Sequence, residues 1–230
     1  MSEITTILFD VGWPIINETR MHAAWNERLK KLVLAHTGKE LSNDFIQNAE
    51  ADAVTCYAPS LFSYVIWQIV KPDENLFKTI KIDFNEYYST REYSIQDGII
   101  EVLEKLSGHY KLGLAANQPV EVHEYLENEG ILKFFDSTKV SDEIGYSKPD
   151  IRMFMAVLDN LKSTPEETMM IGDRLDNDIV PAKLLGMTTV RLLVGPHKNQ
   201  AVRYPTERPD FEIRSIDEIQ GVPLIKAKTQ

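Results

Sequence analysis

Apolar residues along the chain follow two different rhythms. Short runs rich in Ile, Leu, Val, Thr and Met stand at about 4 to 9 (Ile-Thr-Thr-Ile-Leu-Phe), 111 to 116 (Lys-Leu-Gly-Leu-Ala-Ala), 137 to 140, 167 to 171 and 188 to 193, and each reads as a strand. From the second run onward, the intervals between them are wholly or partly helical. Pro119 suits the first turn of a helix that stops at Gly130, and Asp150 suits the cap of one carrying Phe154, Val157, Leu158 and Leu161 on one face. Thr164-Pro-Glu-Glu signals a helix start or a turn just ahead of the fourth strand. Strands alternating with helices predict an α/β fold, a parallel sheet covered on both faces.

The interval from about 18 to 92 breaks this rhythm, because it holds no convincing strand. Trp25, Leu29 and Leu32 recur at helical spacing before Gly38, and Phe45, Ala49, Ala53 and Tyr57 recur by fours after a cap candidate at Ser42. Leu61, Val65 and Ile69 follow Ser60, and Leu76, Ile80, Phe84 and Tyr88 follow Pro72. The pattern predicts a helical insert, 18–92, within a core made of 1–17 and 93–230. No repeat of fixed period and no charge block long enough to form a tail interrupts this division.

Composition narrows the setting. Lys and Arg number 25 against 35 Asp and Glu, a net charge of −10, which argues against nucleic acid as a partner because phosphate-backbone binding needs a basic surface. Hydrophobic residues at 43% and charged residues at 26% fit a globular chain rather than a disordered one. The longest wholly apolar run, Met153 to Leu158, is too short to span a bilayer, and Met1 to Asp10 does not resemble a secretory signal. The expectation is a cytoplasmic protein with no membrane partner. A single cysteine, Cys56, excludes an intrachain disulfide framework and a multi-thiolate metal site, and is expected to be a small buried residue.

Polar residues then matter by position. In an open parallel sheet, ligands bind outside the carboxyl ends of the strands. The first strand runs out into Asp10-Val-Gly12-Trp13-Pro14, the second into Ala116-Asn117, the third towards Lys148-Pro-Asp150, and the fourth into Gly172-Asp173-Arg-Leu-Asp176-Asn-Asp178. Singly, each has an ordinary explanation: Asp10 as a turn former, Asn117 as a helix-entry residue, Lys148 as a solvated lysine, Asp178 as a helix cap. Jointly, at successive strand ends, they would gather carboxylates that stay ionised only beside a cation. Oxygen ligands without His or Cys suit Mg²⁺.

These residues resemble the haloacid dehalogenase (HAD) superfamily over nearly the whole chain. Its first motif is matched by Ile7-Leu8-Phe9-Asp10, its second by Leu112 to Asn117, its third by Lys148-Pro149, and its fourth by Gly172-Asp173 with Asp178 downstream. Phe134-Phe135-Asp136, Gly186-Met187, Pro209-Asp210-Phe211 and Ser215-Ile216-Asp217-Glu218 also fit. The resemblance implies a three-layer Rossmann-like core with an inserted α-helical cap. It further implies a Mg²⁺-dependent phosphatase acting on a small phosphorylated substrate, with Asp10 forming an aspartyl-phosphate. Asp10, the Gly12 carbonyl, Asp173 and Asp178 would hold the metal, and Lys148 with the Ala116 and Asn117 amides would hold the phosphate.

Two positions depart from the family pattern. Gly12 stands where the phosphatases usually carry a second Asp as general acid and base, and Ala116 stands where Ser or Thr is usual. Three readings follow: a phosphatase whose acid is dispensable or comes from elsewhere, with Asn17, Glu18, His22 and Asp176 as candidates; a carbon-halogen or carbon-phosphorus hydrolase; or a non-catalytic protein that binds Mg²⁺ or a phosphorylated ligand. Tyr57, Phe62, Tyr64, Trp67 and Tyr88 could line a substrate pocket or form the insert's own core, and Trp13 stands on the segment leading into it.

Overall fold

The computed structural model describes residues 3–88 and 93–226. The chain divides into two compact units, one formed by Met1–Asn17, Ser94–Lys198 and Val202–Gln230, the other by Glu18–Tyr93 with Asn199–Ala201.

In the first unit, β1 (Thr6–Phe9) is buried at all four positions, as befits a strand with both faces and both edges covered. The other unit follows with α1 (Thr19–Thr37), α2 (Asn43–Thr55), α3 (Leu61–Val70) and α4 (Glu74–Tyr88). The chain then makes α5 (Ile99–Ser107), β2 (Lys111–Leu114), α6 (Val122–Asn128), α7 (Ser141–Ile144), α8 (Ile151–Leu161), β3 (Thr168–Gly172), α9 (Val180–Leu185), β4 (Thr188–Leu192), β5 (Phe211–Ile213) and α10 (Pro223–Lys226). The strands pair in parallel in the order β2-β1-β3-β4-β5, with Thr6 opposite both Lys111 and Thr168. Phe154, Val157, Leu158 and Leu161 of α8, with Ala182 of α9, bury against Leu8 and Met170. The approach is close at Gly113, where an added Cβ would lie 2.8 Å from Leu161 and 2.9 Å from Leu8.

Two strand expectations change. The run 137–140 forms only a single bridge, Ser137 to Gly113, because the chain turns into α7 at Ser141 and the Thr138 carbonyl is taken by His123 at 2.7 Å. β5 fills the fifth place instead, its register set by Asp210, whose Oδ2 accepts from the Thr189 amide (2.9 Å) and hydroxyl (2.8 Å). Thr164-Pro-Glu-Glu becomes a 3₁₀ turn whose Glu167 carboxylate accepts from the Thr164 amide.

The helical unit forms at the predicted spacings. Ser42 accepts from the Phe45 amide at 3.1 Å and Ser60 from the Ser63 amide at 3.3 Å, so both act as helix caps. Met21, Trp25, Leu29, Val33, Ala49, Val65, Ile66, Ile80 and Phe84 make one core. Phe62 joins it, its ring edge-on to Trp25 at 4.7 Å and 5.1 Å from Phe84. Trp67 packs on Phe77, Tyr64 on the cluster of Ala53, Val54 and Leu61, and the Tyr57 hydroxyl donates to the Ala201 carbonyl. These aromatics therefore have packing partners within the unit; the side chain of Tyr88 lies outside the described part. Phe45 is exposed and Ile46 takes the buried place on α2, one position round the helix. Cys56 is exposed, not buried, because it lies just past the end of that helix. Among the described residues, no helix is long and apolar enough to cross a membrane.

Candidate active site

From β1 the chain steps first to β2 on one side and later to β3 on the other, so the connections part at the carboxyl ends of β1 and β3. Open sheets bind ligands at such a point. Asp10 continues the β1 ladder, its amide donating to the Ile171 carbonyl at 2.9 Å, and Asp173 follows β3 directly.

Lys148 arrives from the turn between α7 and α8. The Asn117 carboxamide clasps its backbone, accepting from the Lys148 amide at 2.7 Å and donating to the Lys148 carbonyl at 2.9 Å. The ammonium then reaches Asp10 Oδ1 at 2.9 Å and Asp178 Oδ1 at 2.6 Å. The side chains of Lys148 and Asp178 are 1% and 0% exposed, so the ion pair is buried. A π-helical turn, Leu175–Ile179, folds Asp178 back over Gly172, where an added Cβ would stand 2.4 Å from the carboxylate carbon. Only glycine fits there. Asp178 Oδ2 accepts from the Arg174 amide at 3.0 Å, which fixes the carboxylate's orientation.

Burial holds Asp10, Asp173 and Asp178 above the ordinary carboxylate range. For Lys148, burial pulls downward, but Asp10 and Asp178 outweigh it and the net direction is upward. Each of the three carboxylates offers an oxygen within 4.8 Å of the others. Asp173 Oδ2 is buried without a hydrogen-bond partner, and His197 Nδ1 stands 3.6 Å from it. The three carboxylates outnumber the one ammonium paired with them, an excess of negative charge that a cation would offset. The all-oxygen donor set suits Mg²⁺.

Other predicted residues go elsewhere. Asp176 turns to the Arg174 guanidinium and is not one of the three clustered carboxylates. His22 lies in the helical unit, 3.3 Å from Glu50 and with its ring 5.6 Å from Phe62. Asn17 exchanges backbone and hydroxyl hydrogen bonds with Ser94, and Glu18 opens α1 with its carbonyl accepting from the His22 amide. Gly12 is buried in a turn closed by the Trp13 amide on the Ile16 carbonyl at 2.8 Å. Ala116 is buried, its carbonyl accepting from the Ser141 amide at 3.0 Å. Neither periodicity nor motif assigned a role to Arg191 or His197. Arg191 could have been noticed as a cation inside the otherwise uncharged run Thr188 to Leu193.

This sheet and this centre define a phosphatase-type hydrolase. The chain belongs to the haloacid dehalogenase-like hydrolase family, whose profile matches residues 7–192. It is similar to the glyceraldehyde 3-phosphate phosphatase of Methanocaldococcus jannaschii, 39% identical over 95% of this chain and 96% of that one. The glyceraldehyde 3-phosphate phosphatase of Methanopyrus kandleri is 27% identical over 98% and 99% of the two chains. In fold it is similar to the HAD-hydrolase YfnB of Bacillus subtilis, solved bound to magnesium (TM-score 0.69, 22% identity, 96% and 99% coverage).

Proposed function

We propose that the protein is a Mg²⁺-dependent phosphatase of a small phosphorylated metabolite, with a triose phosphate such as glyceraldehyde 3-phosphate as the first substrate to test. The observation that carries this reading is the cluster of Asp10, Asp173 and Asp178 beside Lys148, three carboxylates that each offer an oxygen within 4.8 Å of the others. The names of the two archaeal relatives supply the substrate class.

Asp10 is the nucleophile. Its Oδ1 accepts from the Val11 amide at 2.7 Å and from Lys148, so Oδ2 is the oxygen assigned to attack. Attack on phosphorus forms the aspartyl-phosphate as the phosphorus–oxygen bond to the leaving alcohol breaks; water then adds to phosphorus, and phosphate departs to restore the carboxylate. Lys148 favours the ionised form of Asp10 against the burial that raises its pKa, and offsets charge on the phosphoryl oxygens. Its position depends on Asn117, which therefore acts through its side chain as well as through the amide proposed, with that of Ala116, to grip phosphate. Asp10, Asp173, Asp178 and the Gly12 carbonyl would hold Mg²⁺, which when bound supplies charge compensation between the anionic nucleophile and its anionic substrate. Gly12 offers no proton, so the departing oxygen depends on its own basicity and on solvent. Residues 18–92 are proposed to serve as the cap that determines which substrates are accepted.

With Mg²⁺, the purified protein is expected to release phosphate from glyceraldehyde 3-phosphate or from an acyl phosphate, and Asp10→Asn to abolish turnover. Phosphate release that survives Asp10→Asn would refute the nucleophile. Metal-independent halide release from 2-haloacids would establish a dehalogenase instead, a reaction that gives the three clustered carboxylates no cation to bind.

A further inference from the structure

Beyond β4 the chain makes a short turn, Leu193 to Lys198, that the catalytic scheme does not use. Three contacts fix it. The Arg191 guanidinium, 3% exposed, donates to the His197 carbonyl at 2.7 Å and reaches the Asp173 carbonyl at 3.5 Å. Gly195 has φ +63°, and its Cα lies so close under the Trp13 indole that an added Cβ would be 2.4 Å from the ring. Trp13 itself has φ 69°, a left-handed backbone that a bulky residue adopts only where its surroundings impose it. The outcome is the placing of the His197 ring, largely buried, with Nδ1 3.6 Å from Asp173 Oδ2. That oxygen is the one without a hydrogen bond.

A carboxylate that holds a metal needs its rotation fixed, and a donor on one oxygen does this while leaving the other for the cation. A burial cost as large as that of a guanidinium is not needed merely to close a surface turn. We propose that His197, held by Arg191 and by the packing of Trp13 on Gly195, is a positioning residue that orients Asp173 for divalent-metal binding. Nδ1 faces Oδ2 at 3.6 Å, and a shift of about 0.5 Å would bring the two to hydrogen-bond distance. This rests on the phosphatase reading only in taking Asp173 as a metal ligand.

The test is Mn²⁺ binding to the metal-stripped full chain, followed by electron paramagnetic resonance, with circular dichroism to verify folding. Loss of such a supporting partner typically weakens metal binding about 10- to 100-fold. His197→Ala is expected to show a loss of that size. His197→Gln, which retains an N–H donor, should fall between it and the wild type. Gly195→Ala, which drives a methyl group into Trp13, should move affinity in the same direction. His123→Ala removes a histidine bound to Thr138 on another part of the core and should leave Mn²⁺ affinity unchanged. If His197→Ala does not fold, His197→Gln decides. Wild-type affinity in a folded His197 variant overturns this role and leaves the phosphatase reading intact. Absence of Mn²⁺ binding by the wild type overturns the metal site itself.

Discussion

At position 12 the side chain is a single hydrogen atom where the family pattern implied a second Asp, and a departing oxygen finds no proton donor in that side chain. Gly12→Asp is therefore expected to raise kcat towards an unactivated phosphoester, by up to the 10²- to 10⁴-fold that general acid–base catalysis typically contributes. An unchanged kcat, with Mg²⁺ still bound, would locate the limiting step elsewhere. Asp173 allows a second measurement. Burial raises its pKa, so its favourable contribution to stability is present below the unfolded value and is lost as pH rises through the raised folded one. Without metal, it opposes folding at neutral pH. Asp173→Asn, which removes a buried charge beside two other carboxylates, should then stabilise the metal-free protein near pH 7 and flatten the rise in stability on acidification. Urea unfolding in EDTA between about pH 5 and pH 8 tests both, and Mg²⁺ should stabilise the wild type more than the variant.

Between elements, β2 and α8 meet closely at Gly113. Gly113→Ala would place a methyl within 3.0 Å of Leu8, Val157 and Leu161 together, and the resulting overpacking is expected to cost about 1–3 kcal/mol of unfolding free energy in denaturant titration, without changing the Mg²⁺ requirement. The same level shows what could be read from the chain. β1, β3 and β4 were legible because a buried parallel strand is apolar on both faces, α2 to α4 because each starts at a cap or proline followed by a regular stripe, and α1 because its stripe runs up to Gly38. The 137–140 segment has the composition of a strand, but pairing stops after Ser137 when a histidine from α6 takes the next carbonyl, a tertiary contact that no local pattern reveals. β5 is three residues long, too short for an alternation to register, and is held by Asp210, a side chain from just before the strand. Asp10, Lys148, Asp173 and Asp178 could be named because each follows a strand end or stands in a short motif. Their support by Asn117, Gly172 and His197 was hidden, since it depends on distances between loops far apart in sequence.

For the whole molecule, the net charge of −10 sets the long-range field that an anionic substrate meets, whatever the local pull of Lys148. Screening that repulsion should help. As ionic strength rises from about 10 mM to about 150 mM, the Debye length shrinks from about 30 to 8 Å, and kcat/KM for a dianionic phosphoester is expected to increase a few-fold at fixed free Mg²⁺. A decrease would mean that local attraction governs capture. A different consequence follows from the point where the helical segment leaves and rejoins the core. The Asn17 amide donates to the Ser94 carbonyl at 2.8 Å, the Ser94 hydroxyl donates back to Asn17 at 2.9 Å, and the Gln96 amide reaches Ile15 at 2.8 Å. Departure and return are thus neighbours in one small clasp, and among the described residues every sheet strand lies outside the intervening stretch. A segment attached in this way is a replaceable cassette: exchanging it for helices of another length leaves the strand order and Asp10 in place, so that, if it is the proposed cap, lineages or protein engineers can alter what such a core acts on without rebuilding the core.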